Sequence, residues 1–289
     1  MNGLSVATPP DMAELRALCV TAAGPINFIA GGTDMLITGR PLPTGGLLID
    51  LSRIAGMALI VADDGGIRIG GATTVAAIAA HRGIAMRLPA LAGAAAQCGS
   101  VQIRNRATIG GNIANAAPAA DLVPVLVAAK ARLGCIGRDG ASSEFAICDY
   151  APDRGYLIAE VILPGDGLLP CSAFVKLGPR QALSMSRLNI ALLAEFRDGR
   201  FGDVRIAAGA LGPRPLRLPL AEAALAGKKL EHAALREFLS ALAAEVDAAI
   251  PGRNSQAYKR RAIAGLGLDL VAQALGLSPR EQLFEDAAE

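Results

Sequence analysis

The chain contains no tryptophan, only two histidines (His81 and His232), and few other aromatics: three tyrosines and seven phenylalanines. Two isolated histidines exclude a histidine-rich metal centre, and each reads as structural or exposed rather than catalytic. Cysteine is scarce as well. Cys19, Cys98, Cys135, Cys148 and Cys171 are odd in number and far apart, without the short spacing that ligates zinc or an iron–sulfur cluster. They read as reduced, buried, small apolar residues. No block of one charge is present, since 28 Lys plus Arg stand against 26 Asp plus Glu for a formal net charge of +2. A phosphate-binding surface needs clustered cations, so nucleic acid is excluded as the main partner. Hydrophobic residues reach 52%, but much of this is alanine, and every long uncharged stretch is interrupted by Gly, Pro or Asn. None reads as a membrane span, which needs about 20 mostly apolar residues. Met1 to Arg16 has no basic segment leading into an apolar one, so no secretory signal is expected and the cytoplasm is the default location.

What is there is glycine and a mixed pattern of short elements. The length of 289 residues exceeds the usual single domain and predicts two. A polar helix is expected around Asp11 to Cys19, then apolar strands at Ile26 to Ala30, Leu47 to Leu51 and Ile67 to Ile69, each closed by glycine or followed by a turn. Helices follow at Thr74 to Arg82, capped by Thr73 or Thr74, and at the alanine-rich Leu88 to Cys98. Residues 101–121 show little regular pattern, and a long irregular stretch inside a domain is usually functional. Leu122 to Ala129 reads as helix, with Arg132 to Gly137 and Tyr156 to Leu163 as strands. Pro164 to Pro170 is rich in Gly, Pro and Asp and marks a boundary, dividing the chain into 1–168 (parts of about 1–55 and 56–168) and 169–289. Three strands are expected beyond it, Ala173 to Leu177, Asn189 to Phe196 and Val204 to Leu211, the last two joined by an Asp198-Gly199 hairpin turn. Helices Leu220 to Ala226, Glu231 to Val246 and Ser255 to Leu275 complete an α+β chain.

Two glycine pairs carry chemistry. Ile29-Ala30-Gly31-Gly32-Thr33-Asp34-Met35-Leu36 sets a pair between a strand and an expected helix, so backbone N–H groups and a helix N-terminus could meet an anion such as a pyrophosphate. Taken alone this pattern more often makes only a tight turn, and it lacks the G-x-G-x-x-G spacing of a Rossmann site. Thr108-Ile109-Gly110-Gly111-Asn112 is the second pair, preceded by Arg104 and Arg106, whose charge suits nearby phosphates. Two such loops could grip one long dinucleotide from both sides. On spacing, Asp121 fits two roles equally: acceptor for a ribityl or ribose hydroxyl, or N-cap of the next helix. Gly70-Gly71, a third pair, reads as structural.

Ala30-Gly-Gly-Thr-Asp34, Gln102-Ile-Arg-Asn-Arg-Ala-Thr-Ile-Gly-Gly-Asn112 and Ala117-Pro-Ala-Ala-Asp121 stand in the order and spacing of the FAD-binding medium subunit of the molybdenum hydroxylases, the xanthine and carbon monoxide dehydrogenase family. Val175-Lys-Leu177 and Ala257-Tyr-Lys-Arg-Arg261 resemble further landmarks, so the likeness covers nearly the whole chain. The resemblance implies a two-part FAD domain of the vanillyl-alcohol-oxidase-like (PCMH) type, then a smaller C-terminal domain with a three-stranded antiparallel sheet and helices. It implies FAD held by residues 29–36 and 108–112, with Asp121, Ile158 and Lys176 also at the cofactor. Read without it, Ile158 is a core residue and Lys176 an exposed edge position. The implied partners are a small iron–sulfur subunit and a large molybdopterin subunit that binds the organic substrate, in a dimer of heterotrimers. The expected function is electron transfer from the clusters through FAD to an external acceptor; the alternative is a self-contained FAD-dependent oxidase. The sequence departs from some relatives in Gly178 to Arg187, which holds no aromatic residue to shield the flavin near Ser184.

Overall fold

The structure, a computed structural model, describes residues 3–180 and 185–277. Ser184 therefore lies outside the described residues. From the N-terminus, β1 (Leu4–Ala7) leads into α1 (Met12–Thr21), whose N-cap Asp11 accepts from the N–H groups of Ala13 and Glu14 at 2.9 Å. Strands β2 (Ile26–Ile29), β3 (Gly46–Asp50), β4 (Ile60–Asp63) and β5 (Gly66–Gly70) follow. Six short helices come next: α2 (Val75–Ala80), α3 (Arg82–Arg87), α4 (Pro89–Ala96), α5 (Val101–Arg106), α6 (Ile109–Ala114) and α7 (Leu122–Ala128). The Thr74 hydroxyl accepts from Ala77 N–H at the start of α2, and His81 Nδ1 accepts from Ile84 N–H at the start of α3, which gives that histidine a structural duty. Then come β6 (Arg132–Ile136), β7 (Ser142–Ala146), β8 (Leu157–Pro164), β9 (Cys171–Leu177), β10 (Leu188–Arg197), β11 (Arg200–Gly209), β12 (Leu216–Arg217), α8 (Pro219–Leu225), α9 (His232–Ala249) and α10 (Gln256–Ala274).

These elements form two compact units, each assembled from separated stretches. The first contains residues up to Ile78 together with Ser100–Ala116 and Lys130–Gly165. It holds a parallel sheet in the order β1-β3-β2 and an antiparallel sheet in the order β4-β5-β8-β6-β7. One apolar cluster joins α1 to both sheets: Leu15 and Cys19 pack with Ile49, Met57, Ile136 and Leu157. The parallel strands are short, and α1 makes the crossover that parallel pairing requires.

The second unit contains Ala79–Gly99, Ala117–Ala129 and the described residues from Asp166 on. Its antiparallel sheet runs β12-β11-β10-β9, so three long strands are joined by a fourth of two residues that the sequence pattern does not announce. Asp198 (φ 52°) and Gly199 (φ 71°) make the β10–β11 hairpin with both residues in the left-handed region, the geometry that an Asp-Gly pair favours. Leu192, Phe201, Ile206, Phe238, Leu242, Ile263 and Leu270 share one core between this sheet and the C-terminal helices. Gly267 of α10 lies against Leu242 and Phe238 of α9, where an added Cβ would stand 2.5 Å from a leucine methyl carbon. Glycine there lets the two helices approach closely.

The 101–121 stretch is a correction. It is not irregular: α5 and α6 occupy most of it. Ser100 caps the first by accepting from Ile103 N–H, and Thr108 caps the second by accepting from Gly111 N–H. Two polar-glycine turns of helix lack the apolar stripe by which a helix is read from sequence. No helix among the described residues is long and apolar enough to cross a membrane.

The cysteines divide by burial. Cys19, Cys98 and Cys135 are buried, Cys171 is intermediate, and Cys148 is exposed, contrary to the expectation that all five are interior. Burial pushes the Cys135 thiol up to about 12, and it also raises Cys19 and Cys171. A thiolate is the reactive form. In the native chain a disulfide reagent should therefore modify Cys148 first and leave Cys135 unmodified until denaturant is added. Peptide mapping of the labelled chain checks this, and early labelling of Cys135 would contradict the buried placement of β6.

Candidate functional site

In the first unit the two glycine loops meet backbone to backbone. A Cβ on Gly31 would overlap the carbonyl oxygen of Arg106, and one on Gly71 would overlap that of Ile158. A Cβ on Gly110 would stand 2.7 Å from the Gly71 carbonyl oxygen. Gly110 N–H donates to that same oxygen at 2.9 Å, Ile109 N–H to Thr73 O at 3.0 Å, and Val75 N–H to Ala107 O at 2.8 Å. Thr74 and Thr108 form an antiparallel bridge. Gly71 is thus the platform on which the second loop sits. Ile158, buried in β8, contributes its backbone to that platform.

The loops differ in what their N–H groups do. Ile109, Gly110, Gly111 and Asn112 all donate within the protein, to Thr73 O, Gly71 O, the Thr108 hydroxyl and Thr108 O. In the first loop no acceptor takes the N–H groups of Gly31, Gly32, Thr33, Asp34 and Met35 among the described residues, while Leu36 N–H closes back on Gly32 O at 2.9 Å. Gly32 holds φ 69°, the left-handed conformation that one residue of an anion-binding nest adopts. No helix follows this loop, so the expected dipole contribution is absent and the turn alone supplies the positive field. Asp34 is paired with Arg40. Arg106 is exposed, with no carboxylate in ion-pair range among the described residues. Asn112 keeps its side-chain Oδ1 buried with no partner among the described residues.

In the second unit Asp121 and Lys176 form an ion pair of 2.6 Å, each side chain only 7% exposed. Asp121 stands at the N-cap position of α7, yet its carboxylate makes no cap bond. Instead Oδ2 accepts from Lys176 Nζ, and Oδ1 accepts from Ser186 Oγ at 2.6 Å and from Asn189 Nδ2 at 3.0 Å. The capping role is therefore set aside. Lys176 also donates to Gln97 O at 3.1 Å. β9 is an edge strand, but the Lys176 head is buried, so the exposed reading fails. Removing one member of such a pair leaves a buried charge uncompensated, at a cost of about 3–5 kcal/mol. The segment before Asp121 is held too. Ala210 N–H donates to Pro118 O at 2.6 Å, and Lys259 Nζ donates to Ala210 O, its pKa lowered by burial and then by Arg253.

The structure therefore sets Gly31 of the first loop against Arg106 and Ala107, just before the second loop at 108–112, and separately pairs Asp121 with Lys176. Ser186 and Asn189 escaped the sequence reading, whereas Gly71 was read as structural, in keeping with its packing. Gly71 was visible as a glycine pair but without its packing partner, and serine and asparagine beside a strand carry no local signal. An open cavity of about 560 Å³ in the first unit, lined by Arg16, Arg68, Cys135, Glu144 and Glu160, includes none of the expected residues.

Known proteins match this arrangement over most of its length. The family described as the FAD binding domain in molybdopterin dehydrogenase matches residues 2–166, and the CO dehydrogenase flavoprotein C-terminal domain matches 173–274. Among similar proteins are the glyceraldehyde dehydrogenase medium chain of Sulfolobus acidocaldarius, 25% identical over 88% of this chain and 95% of its own, and the nicotinate dehydrogenase FAD-subunit of Eubacterium barkeri, 28% identical over 87% and 88%. CO dehydrogenase from Oligotropha carboxidovorans shares the fold, with a TM-score of 0.82 at 23% identity over 94% of this chain and 97% of that one. Quinoline 2-oxidoreductase from Pseudomonas putida 86 does so with a TM-score of 0.78 at 19% identity, over 94% and 96%. With both halves accounted for, the chain belongs to the molybdenum hydroxylase flavoprotein family, as an FAD-binding subunit of its oxidoreductases.

Proposed function

We propose that this chain relays electrons: it takes them from an iron–sulfur cluster on a partner subunit, through its FAD, to an external acceptor, while the organic substrate is oxidised on a molybdopterin subunit. The observation that carries the cofactor assignment is the run of five N–H groups, Gly31 to Met35, that meet no acceptor among the described residues. Unpaired donors in a partly buried turn are costly unless an anion or water meets them, and a pyrophosphate offers several acceptor oxygens to such donors. Asn112 Oδ1 is a second fit, since a buried acceptor with no protein donor suits a hydroxyl or N–H of the same ligand. Residues 29–36 and 108–112 would hold the diphosphate and adjoining groups, with Asp121, Ile158 and Lys176 at other parts of the cofactor. FAD supplies the ability to exchange electrons singly or in pairs. The protein supplies position: Gly71 and Gly110 lock the second loop, Gly31 seats the first against the Arg106 carbonyl, and the exposed Arg106 adds positive charge. The reading extends to a cytoplasmic dimer of heterotrimers.

FAD should be bound noncovalently, because neither glycine loop holds a cysteine or histidine for a flavin linkage. Acid precipitation should release the yellow colour to the supernatant, and colour in the pellet would contradict this.

Substitutions separate the loops from the rest. Gly31→Ala forces the first loop away from the Arg106 carbonyl and should lower FAD affinity by more than about tenfold, equivalent to ~1.4 kcal/mol. Gly111→Val meets only the Thr108 hydroxyl, at 3.0 Å, yet fills the exposed face of α6, so affinity should fall with little change in apo melting temperature. Cys135→Ala, in the sheet core, should retain FAD. Fluorescence titration of apo protein reads all three; parent-like affinity in both glycine variants would remove the loops from the site.

The relay itself is tested anaerobically. Isolated flavoprotein mixed with candidate reducing substrates should keep its visible flavin spectrum and bleach only after the partner subunits are added. Rapid bleaching without partners makes the chain a complete oxidase.

A further inference from the structure

The hydrogen bonds on Asp121 are distributed unevenly, and the unevenness has a direction. Oδ1 takes two donors, Ser186 Oγ and Asn189 Nδ2, whereas Oδ2 takes only Lys176 Nζ among the described residues. A carboxylate offers about four lone-pair positions, two on each oxygen. Oδ1 is therefore full, and the remaining acceptor position lies on Oδ2, next to the ammonium. Lys176 has three protons, of which Oδ2 and Gln97 O take two. Among the described residues, one acceptor and one donor are thus left side by side on a buried ion pair. A hydroxyl group both donates and accepts, so it complements this pair; a phosphate cannot donate, and an aliphatic carbon can do neither.

The arrangement also resists rotation. Asn189 is fully buried, its Nδ2 divides between Asp121 Oδ1 and Ala120 O at 3.3 Å, and its Oδ1 lies where a Cβ on Gly209 would overlap it. Asn189 and Ser186 thus fix the plane of the carboxylate from two points, and Lys176 from a third. A clamp that served only to join α7 to β9 and β10 would not need both of its neutral donors on one oxygen.

We propose that Ser186 and Asn189 are positioning residues for the cofactor: by saturating Asp121 Oδ1 they turn Oδ2 and the Lys176 ammonium toward a sugar-alcohol hydroxyl of FAD. This rests on the reading of Asp121 as a cofactor residue. The hydroxyl belongs either to the ribityl chain or to the adenosine ribose, and the two sources are separable because FMN carries only the first and ADP only the second.

The experiment measures affinities of the apo chain for FAD, FMN and ADP, with apo melting temperatures alongside, in the parent, Ser186→Ala, Asp121→Asn and the double variant. Ser186→Ala removes one small donor and is expected to fold, and to weaken FAD about fivefold or more. Acting through Asp121, it should have no further effect in the Asp121→Asn background. Loss of FMN affinity identifies the ribityl chain, loss of ADP affinity the ribose, and loss of neither overturns the hydroxyl assignment. If Asp121→Asn weakens FAD while Ser186→Ala does not, or if the two effects simply add, the positioning role is wrong and the cofactor role of Asp121 stands. If Asp121→Asn folds and binds FAD like the parent, the underlying reading fails and the proposal with it. Should Asp121→Asn not fold, Ser186→Ala decides alone: a lower melting temperature with unchanged FAD affinity marks a structural clamp and overturns the proposal.

Discussion

The first unit depends on backbone packed against backbone with no side chain between. Gly71 lies on the Ile158 carbonyl, Gly110 on Gly71, and Gly31 on the Arg106 carbonyl, so strand β8, helix α6 and the turn after β2 are held at separations that any Cβ would prevent. Such packing gains little from the hydrophobic effect, since glycine brings almost no apolar area. What it gains is position. The hydrogen bonds from Gly110 and Ile109 to Gly71 and Thr73 make the contact directional, and the apolar cluster around Leu15, Ile49 and Met57 stabilises the sheets on which it stands.

That constraint explains why two similar glycine motifs do different work. Thr108 to Asn112 uses its N–H groups to become a helix and to bind Gly71 and Thr73, so the second loop is a buttress with one unpartnered side-chain acceptor, Asn112 Oδ1. Gly31 to Met35 forms no helix, and its N–H groups meet no acceptor among the described residues. A motif read as a phosphate grip is thereby resolved into a support and a donor surface. The helix dipole invoked for the first loop plays no part, and the αL turn at Gly32 does instead.

Much of this was legible beforehand, and the failures have physical causes. Strands with continuous apolar runs, such as Ile26 to Ile29 and Asn189 to Phe196, declared themselves, as did the Asp198-Gly199 turn. Helices α5 and α6 did not, because each is six residues long and too short to show a repeating apolar stripe: α5 buries no side chain, and α6 buries only Ile109 and Ile113 beside its glycines. Strand β12 is two residues long and exists only through its pairing with β11. At the site, Gly31, Gly32, Gly110, Gly111 and Asp121 stood out because their motifs are local. Ser186 and Asn189 act at a separation of more than sixty residues from Asp121, and nothing near them in sequence marks a partner. The environment of Lys176 was misjudged for the same reason: the strand is at an edge, but α4 and the Asp121 segment cover its end.

The poverty of titratable groups then becomes intelligible. Proton-transfer catalysis needs an acid or base with a matched pKa near the reacting atoms. Around the glycine loops the charged side chains are Asp34, already paired with Arg40, and arginines that do not titrate in the working range. In the second unit Asp121 is the ion-pair partner of Lys176, and three donors hold its carboxylate in place. Both sets offer fixed dipoles and charges, which suit holding a bound FAD in place.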